Sequence, residues 1–209
     1  MSANAAIERP KDREDEYRVR RGSVRLLTIP EHRLVMVDGS GPAGGEAFER
    51  RMPGLYGTAY GLRFALKRRG VERKVGPLEG LWWQADGTTD LDAIFSDDRG
   101  AWRWTLMIVI PDEATDEEIQ EHLVSAREKL EPEIAASLRV ERFEEGDVAQ
   151  VLHVGPYAEE RRSLERLNAA IADAGFRPRG RHHELYLGNP QRSAPERLRT
   201  ILRHPIGNA

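Results

Sequence analysis

The feature that most constrains the fold is an internal repeat of strand, helix, strand and strand. This order occurs near residues 34–110 and again near residues 148–204. In each copy the helix is indicated by apolar residues at steps of three and four, and the strands by short apolar runs between turn residues. An internal repeat constrains a whole fold. The sequence therefore predicts an α+β fold of two tandem βαββ repeats, related by pseudo-two-fold symmetry around a central ligand cleft.

The two copies also match in the strand that follows each helix. In the first copy, Glu79 is followed by Trp82 and Trp83. In the second copy, Glu184 is followed by Tyr186. If the pseudo-symmetry brings both strands to the middle of a joint sheet, two carboxylates and several aromatic rings face one another across the cleft.

The strand of the second copy, His182–Leu187, alternates in a way that favours a lined pocket. Side chains two residues apart share a face of a strand, so His182, Glu184 and Tyr186 point the same way. The intervening positions include two leucines and form the expected core face. A glutamate beside an aromatic residue is an unusual core but a suitable pocket wall.

Proline and glycine predict where several elements end. An apolar run over residues 24–29 is expected to stop at Pro30, with a second strand over residues 34–37. A short strand over residues 140–143 is expected to precede a turn at residues 145–147.

The helices and the N-terminus carry further signals. Pro53 marks a helix start or a kink, because proline lacks the donor that a helix interior needs. Thr115 and Glu118 have the spacing of a capping box. Residues 1–17 are polar and charged, and they are expected to form a loose or disordered tail without a signal peptide.

Composition excludes several classes of function. A net charge of −3 gives no general electrostatic case for nucleic-acid binding. Without cysteine there is neither a disulfide framework nor a thiolate zinc site. No stretch approaches the roughly 20 apolar residues of a membrane span, and a cytoplasmic location is expected. Because neighbours on a strand face opposite ways, His182 and His183 cannot readily chelate one metal ion.

Four short motifs, in order and suitably spaced, resemble the stand-alone GyrI-like proteins. They are Leu55-Tyr56-x-x-x-Tyr60, Pro77-Leu78-Glu79-Gly80-Leu81-Trp82-Trp83, His153-Val154-Gly155-Pro156-Tyr157-x-x-Glu160, and His183-Glu184-Leu185-Tyr186-Leu187 continuing through Leu198-x-Thr200-Ile201-Leu202-Arg203. The likeness runs from about residue 17 to residue 206. It implies a GyrI-like small-molecule-binding domain over residues 18–206, built from two SHS2-type modules with a ligand cleft between them.

The resemblance also implies a function. Similar proteins bind bulky, often cationic aromatic compounds, and some act in multidrug binding as transcription factors with a separate DNA-binding helix-turn-helix. With about 17 residues before the first strand, we expect no such domain and no direct nucleic-acid partner here. Other stand-alone members hydrolyse cyclopropanoid DNA-alkylating compounds in cellular self-protection, which makes this chain a candidate cofactor-independent hydrolase of xenobiotics.

An aromatic guest needs flat walls that exclude water. Candidates for these walls are Tyr56, Trp82, Trp83, Tyr157 and Tyr186. Trp82 and Trp83 alternate on their strand, so only one of them readily faces a cleft. The alternatives remain that Tyr56 packs in the core and that Tyr157 only staples the start of a helix.

The catalytic hypothesis assigns Glu184 or Glu79 as the general base that deprotonates a water. Tyr186 or an imidazole, from His153 or His182, would hydrogen-bond the carbonyl that gathers negative charge. Tyr60 is a further ligand-binding candidate. Ring strain and aromatisation would drive the reaction, so no metal or organic cofactor is expected.

Two other readings stay open. The cleft could sequester a drug without chemistry, or the chain could be a protein-interaction module of the gyrase-modulating type. The sequence identifies neither the ligand nor the oligomeric state.

Overall fold

A computed structural model of the chain describes residues 6–86 and 102–208. The helices are α1 (Arg13–Glu16), α2 (Glu46–Glu49), α3 (Met52–Arg68), α4 (Asp116–Arg127), α5 (Pro132–Ser137) and α6 (Arg161–Asp173). The strands are β1 (Val24–Ser40), β2 (Leu78–Gln84), β3 (Trp102–Val109), β4 (Arg139–Val154), β5 (Phe176–Pro178), β6 (His182–Tyr186) and β7 (Arg199–Asn208). The predicted α+β class is confirmed, and the repeated order is β1-α3-β2-β3 and β4-α6-β6-β7, with short β5 inserted after α6.

The described residues form two compact units. Unit 1 contains residues 6–31, 81–86 and 144–208, and unit 2 contains residues 32–80 and 102–143. In the described part of the chain, no helix is both long enough and apolar enough to cross a membrane.

Unit 2 is built on an antiparallel ladder between β1 and β3. Its register runs from Leu34 opposite Val109 to Ser40 opposite Arg103. Helix α3 starts at Met52 with Pro53 in its first turn, where the missing N–H has no intrahelical partner to lose. The proline therefore marks the start of the helix, which is one of the two predicted outcomes.

A row of glycines on α3 lets α4 and the residues after it approach closely. A Cβ added at Gly61 would lie 2.6 Å from His122 Nδ1, and one at Gly54 would lie 2.8 Å from Leu130 Cδ1. At Gly57 the nearest atom would be 3.9 Å away. The helix that supplies His122 begins at the predicted capping box, which is confirmed by hydrogen bonds in both directions between Thr115 and Glu118.

Unit 1 is organised around β7, which pairs antiparallel with β4, β5 and β6. Glu184 lies opposite Leu202, and Tyr186 lies opposite Thr200. On the other ladder, Val151 also lies opposite Leu202. Because side chains alternate along a strand, these positions share one face of the sheet.

Each face of this sheet is covered by a separate apolar core. On one face α6 packs against β4, β5 and β7 through Ala149, Val151, Leu164, Leu167, Ile171, Phe176, Leu202 and Ile206. On the other face the N-terminal segment packs through Val19 against Leu152, Leu185 and Ile201. Fully burying a large apolar side chain contributes about 1.5–3 kcal/mol to stability, so the apolar cores on both faces stabilise the sheet between them.

Two predicted strand boundaries are wrong. Strand β1 continues through Pro30, which is exposed and lies outside the ladder with β3; the fixed φ of proline is compatible with extended backbone. Strand β4 continues through the predicted turn at residues 145–147. There Gly146 adopts φ +72°, as glycine does at bulges, so the turn signal becomes an irregularity inside one strand.

The expected loose tail also needs correction within residues 6–17. Glu8 forms a bridge to Leu27, with hydrogen bonds of 2.9 Å on either side. Asp12 caps α1 through its side chain, and Glu16 is buried. The polar composition of this segment suggested a loose tail. Its contacts were not visible in the sequence, because the partner residues lie far away along the chain.

Candidate functional site

The strongest candidate site lies in unit 1, on the face of β6 that carries His182, Glu184 and Tyr186. This is the face against which α6 packs. The turn before α6 contributes Tyr157, and Glu160 occupies the N-cap of the helix. Strand alternation puts His182, Glu184 and Tyr186 on one face, and the packing of α6 on that face brings Tyr157 and Glu160 there.

Two carboxyl groups form the centre of the site. The side chain of Glu184 is 13% exposed, and Glu160 is 9% exposed. Burial, followed by the negative charge of Glu184, raises the pKa of Glu160 well above its ordinary value. Buried like charges resist joint ionisation, so the charge of Glu184 favours the protonated form of Glu160.

Glu184 is oriented by two aromatic donors in series. Trp82 Nε1 donates to Tyr186 Oη over 3.0 Å, and Tyr186 forms a side-chain hydrogen bond with Glu184. Burial, the charge of Glu184 and this hydrogen bond raise the pKa of Tyr186 well above its ordinary value. Tyr186 is therefore a neutral phenol that accepts from Trp82 and donates to Glu184.

The two tryptophans of β2 have separate surroundings. Trp82 is buried and belongs to the chain of donors that ends at Glu184. Trp83 lies under Arg181, whose guanidinium carbon is 3.7 Å from the ring centroid. Of the two, Trp82 contacts the acidic site.

Tyr157 forms the exposed edge of the site. Its ring meets that of Tyr186 edge-on, with centroids 6.1 Å apart and planes at 87°, and the residue is 38% exposed. Burial, followed by the charges of Glu184 and Glu160, raises the pKa of Tyr157 to about 12. A neutral aromatic ring thus lies where a molecule arriving from solvent would meet the acids.

Two histidines lie behind Glu184. His182 Nε2 is 3.4 Å from Glu184 Oε1, and the His182 ring stacks on His204 with centroids 6.0 Å apart. Burial, followed by the proximity of His182, lowers the pKa of His204 to about 3. His204 is therefore neutral over the physiological range.

His153 supports the turn that carries Tyr157 and Glu160. Its Nε2 is 3.1 Å from the Pro156 carbonyl oxygen, and its Nδ1 is 3.1 Å from Ser163 Oγ. A carbonyl can only accept, so Nε2 donates; in the neutral imidazole Nδ1 then accepts from Ser163. Both ring nitrogens of this predicted ligand-binding residue are thus engaged within the protein.

The opposite face of β6 carries a buried ionic network. Glu145 accepts from His183 Nδ1 at 3.0 Å and from Arg203 Nη1 at 3.0 Å. Arg203 Nε also donates to Gln150, which donates in turn to the backbone carbonyl of Glu16. Burial by itself raises the pKa of Glu145, but the charges and hydrogen bonds of His183 and Arg203 outweigh it and lower the pKa to about 2.

The remaining predicted site residues belong to unit 2. Glu79 is 3% exposed. Tyr56, Tyr60 and Phe64 form an aromatic row on α3 with centroid spacings of 6.1 and 6.4 Å, and Tyr60 and Phe64 are exposed. Burial, followed by Tyr60, raises the pKa of Tyr56. The predicted meeting of Glu79 with Glu184 stays a prediction.

Sequence reasoning did not select Glu160 or His204 as site residues. Glu160 was visible in the motif that begins at His153, but its burial, which distinguishes it from the exposed Glu159, depends on the packing of α6. Within residues 6–86 and 102–208, no group of three or more histidines and acids is placed to hold a metal ion. The described site offers carboxyl and phenol chemistry.

The fold and the site define an α+β protein with a buried carboxyl pair next to aromatic rings. The chain is similar to the crystal structure of an uncharacterized conserved protein from Listeria innocua, at 32% identity and a TM-score of 0.80. It is also similar to two structures described as hydrolases from Listeria innocua, each at 30% identity, with TM-scores of 0.75 and 0.77. Each comparison covers 97% of this chain and 100% of the other.

Identity at this level over the full length shows common descent, and this chain belongs to the family of these Listeria innocua proteins. Neither a family model nor a curated protein sequence matches it.

Proposed function

We propose that the protein is a hydrolase of bulky aromatic small molecules, with the Glu184 carboxylate as general base and no cofactor. The observation that carries this proposal is the donor chain from Trp82 through Tyr186 to Glu184, next to the buried acid Glu160. Two structures from the family are described as hydrolases, which supports the reaction class.

The geometry suits a general base that acts on water. The side chain of Glu184 is 13% exposed, so a water can reach the carboxylate, and Tyr186 forms a hydrogen bond with it. General bases of this kind contribute about 10²–10⁴-fold to a rate. Tyr186 is held in place by Trp82, which limits the rotation of the carboxylate.

The substrate class follows from the walls of the site and its charge. Tyr157 offers a ring face or edge to a flat molecule, and the acid pair carries negative charge that favours a cationic guest. The resemblance to stand-alone GyrI-like proteins extends the proposal to cyclopropanoid DNA-alkylating compounds, detoxified in the cytoplasm. Opening of their strained ring releases enough energy to proceed without a cofactor.

Sequestration without chemistry is the second candidate. The exposed ring of Tyr157 beside an acid favours it, because capture needs only an aromatic surface and a counter-charge. Sequestration and hydrolysis differ in the number of molecules consumed per protein.

The test is incubation with a spirocyclopropyl alkylating agent, followed by absorbance and mass spectrometry. Hydrolysis predicts depletion well beyond one equivalent and a product heavier by one water. Glu184→Gln should slow turnover at least 100-fold while the Kd stays within a few-fold, and Glu165→Gln, an exposed acid on α6, should match wild type.

Depletion that stops at one equivalent would establish sequestration instead. Unchanged turnover in Glu184→Gln would refute the assignment of the base. Absence of both binding and depletion would refute both candidate functions for this class of compound.

A further inference from the structure

We propose that Glu160 is a second catalytic residue, the general acid that protonates the substrate oxygen on which charge develops. This inference rests on the proposed function, since it supplies the partner that a base at Glu184 needs. It assigns different tasks to the two carboxyl groups.

The placement of Glu160 is the first argument. It lies at the N-cap of the 13-residue helix α6, but its side chain makes no capping hydrogen bond. Its Oε1 atom is buried and has no hydrogen-bond partner among the described residues. Buried polar atoms in proteins are nearly always paired, so a buried, unpaired carboxyl oxygen in a site suggests a partner supplied by a ligand.

The surroundings of Glu160 are the second argument. Glu160 interacts electrostatically with Glu184 and Tyr186 on β6 and with Tyr157 in the preceding turn. None of these is a cation that would hold Glu160 ionised, and burial with the charge of Glu184 raises its pKa. Both effects favour the protonated form of Glu160, which is the state that a general acid requires.

Helix α6 makes donation of this proton less costly. Once the proton has left, a carboxylate remains at the N-terminus of a helix, where the macrodipole stabilises negative charge by about 0.3–1 kcal/mol. The dipole acts on the ionised form of Glu160, so it lowers the energy of the state that follows transfer and partly offsets the effect of burial on the pKa.

The reaction step balances without any additional reagent. Glu184 takes a proton from water, and the water oxygen forms a bond to a cyclopropane carbon. The carbon–carbon bond of the ring breaks, and its electron pair moves through the conjugated system to the carbonyl oxygen. That oxygen takes the proton of Glu160 and becomes a phenol.

The net change is addition of one water to the substrate. The enzyme is left with a proton on Glu184 and a charge on Glu160. Loss of the Glu184 proton to solvent and uptake of one proton by Glu160 restore the resting state.

Carbon-13 NMR of glutamate-labelled protein tests where the proton resides, without any substrate. The Glu160 carboxyl resonance is assigned by its absence in Glu160→Gln. We expect its titration midpoint to lie above the ordinary value of about 4.3 and to fall in Glu184→Gln, where the neighbouring charge is removed. A midpoint at the ordinary value in wild type would overturn the proposal.

Kinetics with the spirocyclopropyl agent tests the catalytic role. General acid loss predicts that Glu160→Gln lowers kcat about 100-fold with little change in KM, and that the alkaline limb of the pH–rate profile disappears. Glu159→Gln, the exposed neighbour, is the matched control and should keep wild-type kinetics.

The outcomes separate this inference from the proposed function. If Glu184→Gln abolishes turnover but Glu160→Gln keeps both its kcat and its alkaline limb, the role of Glu160 is wrong and hydrolysis stands. If wild type consumes no substrate, hydrolysis itself is wrong and the acid role falls with it.

Discussion

Replacement of Glu145 by glutamine should strongly destabilise the protein, although Glu145 lies on the face of β6 opposite the candidate site. Glu145 is buried between His183 and Arg203, and Arg203 is itself buried. Glutamine keeps the size of the side chain but removes its charge. Arg203 then retains a full charge away from water without a counter-ion.

The loss in the free energy of unfolding can be estimated in two ways. Removal of one partner of a buried ion pair typically costs about 3–5 kcal/mol. Independently, a pKa lowered from 4.5 to about 2 corresponds to about 3 kcal/mol of stability. At about 2–4 °C per kcal/mol for a chain of this size, Tm should fall by about 10 °C.

The pH dependence gives a second signature. A depressed carboxyl pKa contributes its full stability above 4.5, and the contribution is lost as pH falls towards about 2. Urea denaturation between pH 7 and pH 2 should therefore show a loss of about 3 kcal/mol in wild type over this window that Glu145→Gln lacks. Arg203→Met in the Glu145→Gln background should recover part of the stability by removing the unpaired charge.

The control is Glu144→Gln, an exposed acid one residue earlier on the same strand. It should change stability by less than about 0.5 kcal/mol. The explanation is wrong if Glu145→Gln is as stable as this control and loses as much stability as wild type between pH 7 and pH 2.

Three further predictions concern unit 2 and are tested by thermal denaturation. Gly57→Ala should be neutral or stabilising by up to about 1 kcal/mol, because helix propensity improves and the new Cβ has room. Gly61→Ala should instead cost about 1–3 kcal/mol, since its Cβ would displace His122; equal effects of the two substitutions would contradict the tight contact. Thr115→Ala should cost about 1 kcal/mol by removing the cap of α4, and Tm unchanged from wild type would show that the cap contributes nothing.

Local signals predicted the elements that depend on local chemistry. The start of α3 at Pro53 and the capping box of α4 are decided within a few residues, so their sequence was sufficient. Pro30 and Gly146 were misleading, because each was interpreted as a stop although an extended strand accommodates both. Whether a strand continues through such a position depends on the neighbouring strand, which lies far away in the sequence.

The candidate site was predictable where strand alternation fixed it. Glu184 and Tyr186 share a face because they are two residues apart, and their environment followed from that. Glu160 was not predictable as a proton donor, because its burial depends on how α6 packs. The ordered tail likewise depends on a contact between Gln150 and the backbone of Glu16, which are 134 positions apart.

Strand β6 is only five residues long, yet its two sides hold opposite kinds of acid. On one side, the charges of His183 and Arg203 lower the pKa of the Glu145 carboxyl; on the other, burial and the charge of Glu184 raise the pKa of the Glu160 carboxyl. If β6 shifted by one residue against β7, its side chains would exchange faces. Glu184 would then lie near Arg203, which already pairs with Glu145, and His183 would lie near Glu160. Misalignment is thus penalised on both faces at once, which gives a very short strand a strongly preferred registration.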